Sequence, residues 1–69
     1  MILDQVEIGG LFSSIHEMEQ WCELNIGPQA PERDCVDLDR PWTRKRNYGN
    51  TVWFFATEEA ATLFRLRWL

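Results

Sequence analysis

The segment from Trp42 to Ala56 constrains the fold more than any other part of the chain. It contains two runs rich in aromatic and β-branched residues, separated by Gly49-Asn50. Residues of these types favour strands, and a glycine at the first central position suits a two-residue II′ turn. The segment is therefore predicted to be a β-hairpin in which Tyr48 pairs with Thr51 beside the turn.

A first helix is predicted over residues 15–26, where apolar residues recur at helical spacing. Ser14 stands where an N-cap is expected, and Glu17 lies three residues further on, which is the spacing of a capping box. Gly27 can supply a left-handed residue after the helix, and Pro28 prevents its continuation.

A second helix is predicted from its N-cap, Thr57, to about Arg67. The acidic pair Glu58-Glu59 falls in the first turn and Arg65 in the last, and both placements suit the helix dipole. Residues 64–68 also alternate between apolar and basic types, so a strand is the alternative at this end.

The remaining pattern completes a small α+β fold within 69 residues, which suffice for one domain covering residues 1–69. Residues 2–8 are predicted to form a strand that ends at Gly9-Gly10. The element order is then β-α-β-β-α, and the simplest packing is a three-stranded antiparallel sheet with both helices on one face. The proline- and charge-rich segment 28–41 is predicted to be a long loop, either mobile or with a short strand at 36–38.

Charge is distributed unevenly along the chain. Residues 1–39 carry nine acidic residues and one basic residue, a net charge of −8, whereas residues 40–69 carry six basic and two acidic residues, a net charge of +4. This asymmetry indicates charged partners, or else the two halves pair with each other within the fold or across a dimer. The small size and aromatic content favour a homodimer, which would cover an exposed sheet face.

The sequence predicts a cytoplasmic protein that neither enters nor crosses a membrane. The first eight residues include Asp4 and Glu7 and lack the basic start and apolar run of a signal peptide. No apolar stretch reaches the roughly 20 residues that a membrane helix needs. In a reducing compartment Cys22 and Cys35 are expected to remain free, as buried or partly buried thiols.

No metal, cofactor or catalytic group is predicted. His16 and the two cysteines lack the short spacing of a zinc site, and the aspartates at 34–39 lack the glycine and terminal glutamate of a calcium loop. The serines at 13–14 are better explained as helix-cap residues than as nucleophiles, so we expect a protein that is not an enzyme.

The main candidate for a binding site is one face of the hairpin. Under the predicted pairing this face carries residue types that are enriched at interaction hot spots. The candidate contact residues are Trp42, Arg44, Arg46, Tyr48 and Trp53. We expect the opposite face, with Val52, Phe54 and Ala56, to pack on the helices. The alternative is that Trp53 and Phe55 belong to the core and that the arginines cover them by cation–π stacking.

A second candidate is the acidic part of the long loop, whose exposed carboxylates would act as charged contacts at an interface. The residues concerned are Glu32, Asp34, Asp37 and Asp39.

The C-terminal part of the chain resembles small uncharacterised accessory proteins of tailed bacteriophages. The likeness lies in Trp53-Phe54-Phe55, in the acidic helix start at 57–61, and in the Ala-x-x-Phe-x-Leu-x-Trp ending at 61–68. Segments 19–23 and 25–28 resemble the first helix of these proteins and the residues that follow it, whereas the loop at 28–41 lies outside the pattern. The resemblance implies a viral protein that binds and inhibits a host protein, including components of antiviral defence.

Two functions therefore stay open. The first is a protein-binding inhibitor or adaptor that acts on a host protein by steric blockade. The second is a small nucleic-acid-binding module that stacks bases on the aromatic hairpin and meets phosphates with its basic residues. The net charge of −4 disfavours the second function, because it repels a polyanion.

Overall fold

The computed structural model describes residues 4–9 and 12–68, and for residues 12–14 the backbone alone. The elements are β1 (Asp4–Gly9), α1 (Phe12–Asn25), a 3-10 helix (Arg33–Cys35), β2 (Trp42–Asn47), β3 (Asn50–Phe55) and α2 (Glu58–Trp68). Strand β3 lies between β1 and β2 and is antiparallel to both. Residues of both helices pack on the same face of this sheet. The predicted α+β fold, with a three-stranded antiparallel sheet and two helices, is therefore confirmed.

Helix α1 begins at Phe12, so the predicted N-cap at Ser14 is wrong, because Ser14 already lies in the first turn. The helix ends at Asn25, after which the amides of Ile26 and Gly27 both donate to the Cys22 carbonyl, at 2.8 and 2.9 Å. Gly27 then takes a positive φ of 147°, a backbone conformation that residues other than glycine rarely adopt. The positive φ is as predicted, but the left-handed helical conformation is not formed, because 147° lies well outside its range.

Helix α2 begins as the sequence predicts. The Ala60 amide donates to Thr57 Oγ1 at 3.1 Å, which makes Thr57 the N-cap. Residues 64–68 are helical, so the strand alternative is wrong at this end. The small side chains of Ala60 and Ala61 are buried beside Phe64, which lets the helix axis lie close to the sheet.

The hairpin forms, but its turn lies one residue earlier than predicted. Asn47 pairs with Asn50, so the central residues are Tyr48 and Gly49, with φ of 51° and 86°. Two positive φ values define a type I′ turn, whose twist matches that of the flanking strands. The strand partners consequently shift by two residues, and Trp53 lies opposite Arg44. An even shift preserves the predicted division of the hairpin into two faces.

The prediction of which face packs on the helices is wrong. Trp42, Trp53 and Phe55 are fully buried and pack with Phe64 of α2 and Cys22 of α1. The physical reason is area: two tryptophans and a phenylalanine bury more apolar surface against the helices than valine, phenylalanine and alanine would. The alternative in which Trp53 and Phe55 belong to the core is therefore confirmed.

The loop at 28–41 covers part of the opposite sheet face. Ala30 and Val36 are buried there against Phe54 and Ala56. The Ala30 amide donates to the Trp42 carbonyl at 2.7 Å, and its own carbonyl accepts from Thr43 Oγ1 at 2.9 Å. The predicted strand at 36–38 is not formed, and the only regular structure in this described loop is the 3-10 helix. The sheet face that was expected to stay exposed and drive dimerisation packs instead on the helices. The face covered in part by this loop is the one that was expected to pack on them.

A tryptophan at the centre of this core should dominate stability. We expect Trp53→Ala to lower the free energy of unfolding by about 3–5 kcal/mol, because it leaves a large cavity. Leu24→Ala is the matched control, since Leu24 is 86% exposed, and it should change stability by less than about 0.5 kcal/mol. Urea denaturation followed by circular dichroism measures both, and equal stabilities would contradict the core assignment of Trp53.

Candidate functional site

The structure divides the predicted hairpin site into three environments. Trp42 and Trp53 lie in the core, Arg44 is partly buried, and Arg46 and Tyr48 are exposed. The buried tryptophans are inaccessible to a partner, so this face does not form the contact surface that the sequence suggested. A contact role for Arg46 and Tyr48 stays a prediction.

Arg44 links the hairpin to α1. Its Nε donates to Glu19 Oε2 at 2.6 Å, and the two side chains are only 27% and 24% exposed. A short charge-assisted hydrogen bond between partly buried groups holds a strand against a helix. Here an acid of the first half of the chain pairs with a base of the second half, as one interpretation of the charge asymmetry predicted.

A cleft of about 640 Å³ opens on the loop-bearing side of the sheet. Val52 and Phe54 supply its apolar part, and the Arg33 guanidinium lies 5.8 Å from the centre of the Phe54 ring. Side chains of both charge signs and two amides complete the lining. The full set is Gln5, Glu32, Arg33, Asp34, Lys45, Asn47, Val52 and Phe54.

The acidic loop residues separate into two roles. Glu32 and Asp34 line this cleft together with Arg33 and Lys45. Asp37 instead stabilises the loop, because its Oδ1 accepts the amides of Asp39 and Arg40, both at 2.9 Å. The structure thus brings half of the second candidate site to the hairpin, but to the face opposite the predicted one.

Most of the cleft residues were missed by sequence reasoning. They alternate along the strands with the predicted contact residues, and Val52 and Phe54 were expected to pack on the helices. The residues missed are Lys45, Asn47, Val52 and Phe54. Sequence reasoning could have found them by comparing the aromatic surface area on the two faces of the hairpin. The face with the larger aromatic area is the one that packs on the helices, which leaves these residues on the other face.

Tyr48 occupies an unusual position at the end of the hairpin. Its side chain is 102% exposed, so no described residue covers it. Its φ of 51° is the only positive value among non-glycine residues in the described ranges. Asparagine and glycine are preferred at this turn position, and most other side chains are strained there. Tyrosine at this position therefore contributes little to folding.

The potentially reactive groups have ordinary structural surroundings. Burial, and secondarily the charge of Glu19, raises the pKa of the Cys22 thiol to about 12. Both cysteines are free, as predicted, but Cys35 is exposed rather than buried, because it lies in the 3-10 helix of the surface loop. His16 Nε2 lies 3.3 Å from the side-chain nitrogen of Gln20. Within 4–9 and 12–68, no three histidine, cysteine or acidic side chains are grouped so that they could hold a metal ion.

Two further observations complete the description. Neither helix in the described part of the chain is long and apolar enough to cross a bilayer. No protein-family model, curated protein sequence or solved structure significantly matches the chain.

The ion pair between Arg44 and Glu19 should matter for folding. We expect Arg44→Ala to lower the free energy of unfolding by about 1–3 kcal/mol, because it leaves a partly buried carboxylate without its donor. Lys45→Ala, at the exposed neighbouring position, is the control and should have little effect. The double variant, Arg44→Ala with Glu19→Gln, should lose less stability than the two single variants lose in total. If the losses are strictly additive, the two residues are not coupled.

The two thiols should differ in reactivity. At pH 8 we expect Ellman's reagent to modify Cys35 rapidly and Cys22 only when the protein unfolds, because the thiolate is the reactive form. Cys35→Ser should remove the fast phase. The stability that a buried neutral Cys22 contributes is complete below its usual pKa of 9.0 and is lost as the pH rises toward 12. Rapid modification of Cys22 in the folded Cys35→Ser variant would contradict its burial.

Proposed function

We propose that the protein is a non-enzymatic, protein-binding accessory protein that inhibits or modulates a host protein by steric blockade. The observation that carries the proposal is the full exposure of Tyr48 at a backbone position that disfavours tyrosine. The bacteriophage origin, the host cytoplasm as its location, and an antiviral-defence component as its target are proposed from the sequence resemblance.

Tyr48 has the properties of an interface anchor. Tyrosine is enriched at binding hot spots, and it offers a large contact area at a small cost in conformational entropy. Residues in sparsely populated backbone conformations tend to cluster at functional sites. An exposed tyrosine that adds backbone strain and gains no packing within its own chain is best accounted for by a contact with another molecule.

The neighbouring cleft suits a protein surface better than a nucleic acid. Its charged lining consists of two acidic residues, Glu32 and Asp34, and two basic residues, Arg33 and Lys45. Charges of both signs around an apolar floor match the mixed chemistry of a protein partner. A phosphate backbone requires a basic surface. Base stacking on the hairpin is also reduced to Tyr48, because the core buries both hairpin tryptophans, Trp42 and Trp53.

The role of Tyr48 can be separated from folding by Tyr48→Asn. We expect this variant to be as stable as the natural protein or up to about 1 kcal/mol more stable, because asparagine tolerates the left-handed conformation. It should nevertheless lose partner capture when the tagged protein is incubated with host lysate and the bound proteins are identified by mass spectrometry. The matched control is Leu24→Asn, at an exposed position on α1, which should capture the same protein.

Undiminished capture by a folded Tyr48→Asn variant would contradict the proposed anchor. A gel-shift titration with single-stranded nucleic acid at rising salt tests the alternative function. Binding that weakens steeply with salt would favour the nucleic-acid module, whereas we expect no shift at physiological salt.

A further inference from the structure

The outer face of α2 carries apolar residues that the fold leaves in solvent. Leu66 is 79% exposed, and Leu63 is half exposed. Together with Glu59 and Thr62 they lie on one side of the helix, opposite the buried Ala61 and Phe64. A shallow groove of about 410 Å³ runs along this side and is lined by Glu58, Glu59, Thr62 and Leu63.

Charge is arranged along this helix in a self-complementary way. Glu58 and Glu59 are exposed in its first turn, and Arg65 and Arg67 are exposed in its last turn. Two copies of the helix placed antiparallel would bring the acidic turn of each beside the basic turn of the other. The leucines would then meet at the centre, and each end of the helix pair would combine an acidic turn with a basic one. The antiparallel helix dipoles would also attract each other.

We propose that two copies of this chain associate through α2, antiparallel about a two-fold axis. Leu66 of each copy lies in the groove beside Leu63 of the other, and Glu58 and Glu59 face Arg65 and Arg67 of the other. Such an interface is isologous, since each contact occurs twice, and closed two-fold dimers are the commonest assembly of identical chains.

The existing contacts of the two arginines leave them available for this pairing. Arg65 Nη2 donates to the Gln5 carbonyl at 3.3 Å, which uses one of the five N–H groups of its guanidinium. The Arg67 guanidinium carbon lies 4.3 Å from the centre of the Trp68 ring. A guanidinium stacked on a ring can still donate from its edge to a carboxylate.

A second copy is favoured over other occupants of this face because α2 carries both an acidic turn and the basic turn that would pair with it. Leu24 provides the comparison: it is equally exposed on α1, but the last turn of that helix contains no basic residue. The proposed dimer also leaves the cleft and the turn at Tyr48 accessible, because α2 packs on the opposite face of the sheet from the loop. The two proposals can therefore fail independently.

The decisive measurement is the mass of the full chain by sedimentation equilibrium from about 1 to 100 μM, the range in which small interfaces typically dissociate. We expect a mass that approaches twice that of the monomer at the upper end. Leu66→Glu should give a monomer throughout, whereas Leu24→Glu should behave like the natural protein. A monomer of the natural protein at all concentrations would overturn the proposal, as would a dimer that Leu66→Glu leaves intact.

A charge exchange tests the antiparallel arrangement itself. One variant carries Glu58→Lys and Glu59→Lys, and the other carries Arg65→Glu and Arg67→Glu. Each alone should be monomeric because like charges meet at both ends, and an equimolar mixture should form a heterodimer in which all facing charges are opposite. If both variants are folded by circular dichroism and their mixture stays monomeric, the antiparallel pairing is wrong. If either variant is unfolded, the comparison of Leu66→Glu with Leu24→Glu decides the proposal.

Discussion

A row of contacting aromatic rings joins the sheet to both helices. Trp42 lies 5.7 Å from Trp53 between ring centres, Trp53 lies 4.9 Å from Phe64, and Phe64 lies 5.1 Å from Phe55. The row runs from the edge strand β2 through the central strand β3 to α2, and Trp21 of α1 meets Phe64 edge-on at 6.1 Å. A chain of 69 residues buries a smaller fraction of its unfolded-state surface than a larger domain does, about 60%. Concentrating its largest side chains in one cluster is how it obtains a core.

The same cluster determines where the long loop lies. Trp42 Nε1 donates to the Gly27 carbonyl at 2.6 Å. The first residue of β2 therefore fixes the backbone that follows α1, where the loop begins. Pro41, next to Trp42, accepts the Ala56 amide at 2.8 Å. Held at both ends, the loop lies across the far side of the sheet, where Val36 is buried. In contrast, Trp53 Nε1 has no hydrogen-bond partner among the described residues, a cost that its packing must offset.

Features of the fold that depend on neighbouring residues could be predicted from the sequence. Features that depend on contacts between distant parts of the chain could not. The N-cap at Thr57 and the order of elements follow from local signals, and the sequence predicts both. The position of the turn does not follow from local signals, because Tyr48-Gly49 and Gly49-Asn50 both suit a two-residue turn. The register of the strands decides between them and places Tyr48 in a left-handed conformation. The choice of buried face depends on total area across three elements, and the cleft depends on a loop that has no periodic pattern.

The assignment of the two sheet faces decides which residues are left for function. Since the tryptophans of the hairpin belong to the core, a protein that acts by recognition, as proposed above, relies on residues that the core does not use. Tyr48 and the cleft lie at the hairpin and loop, whereas Leu63 and Leu66 lie on α2, which packs against the other face of the sheet. In a dimer formed through α2, each copy keeps its own tyrosine and cleft. A target with two matching sites would then be bound twice, which strengthens binding by effective concentration without any new contact.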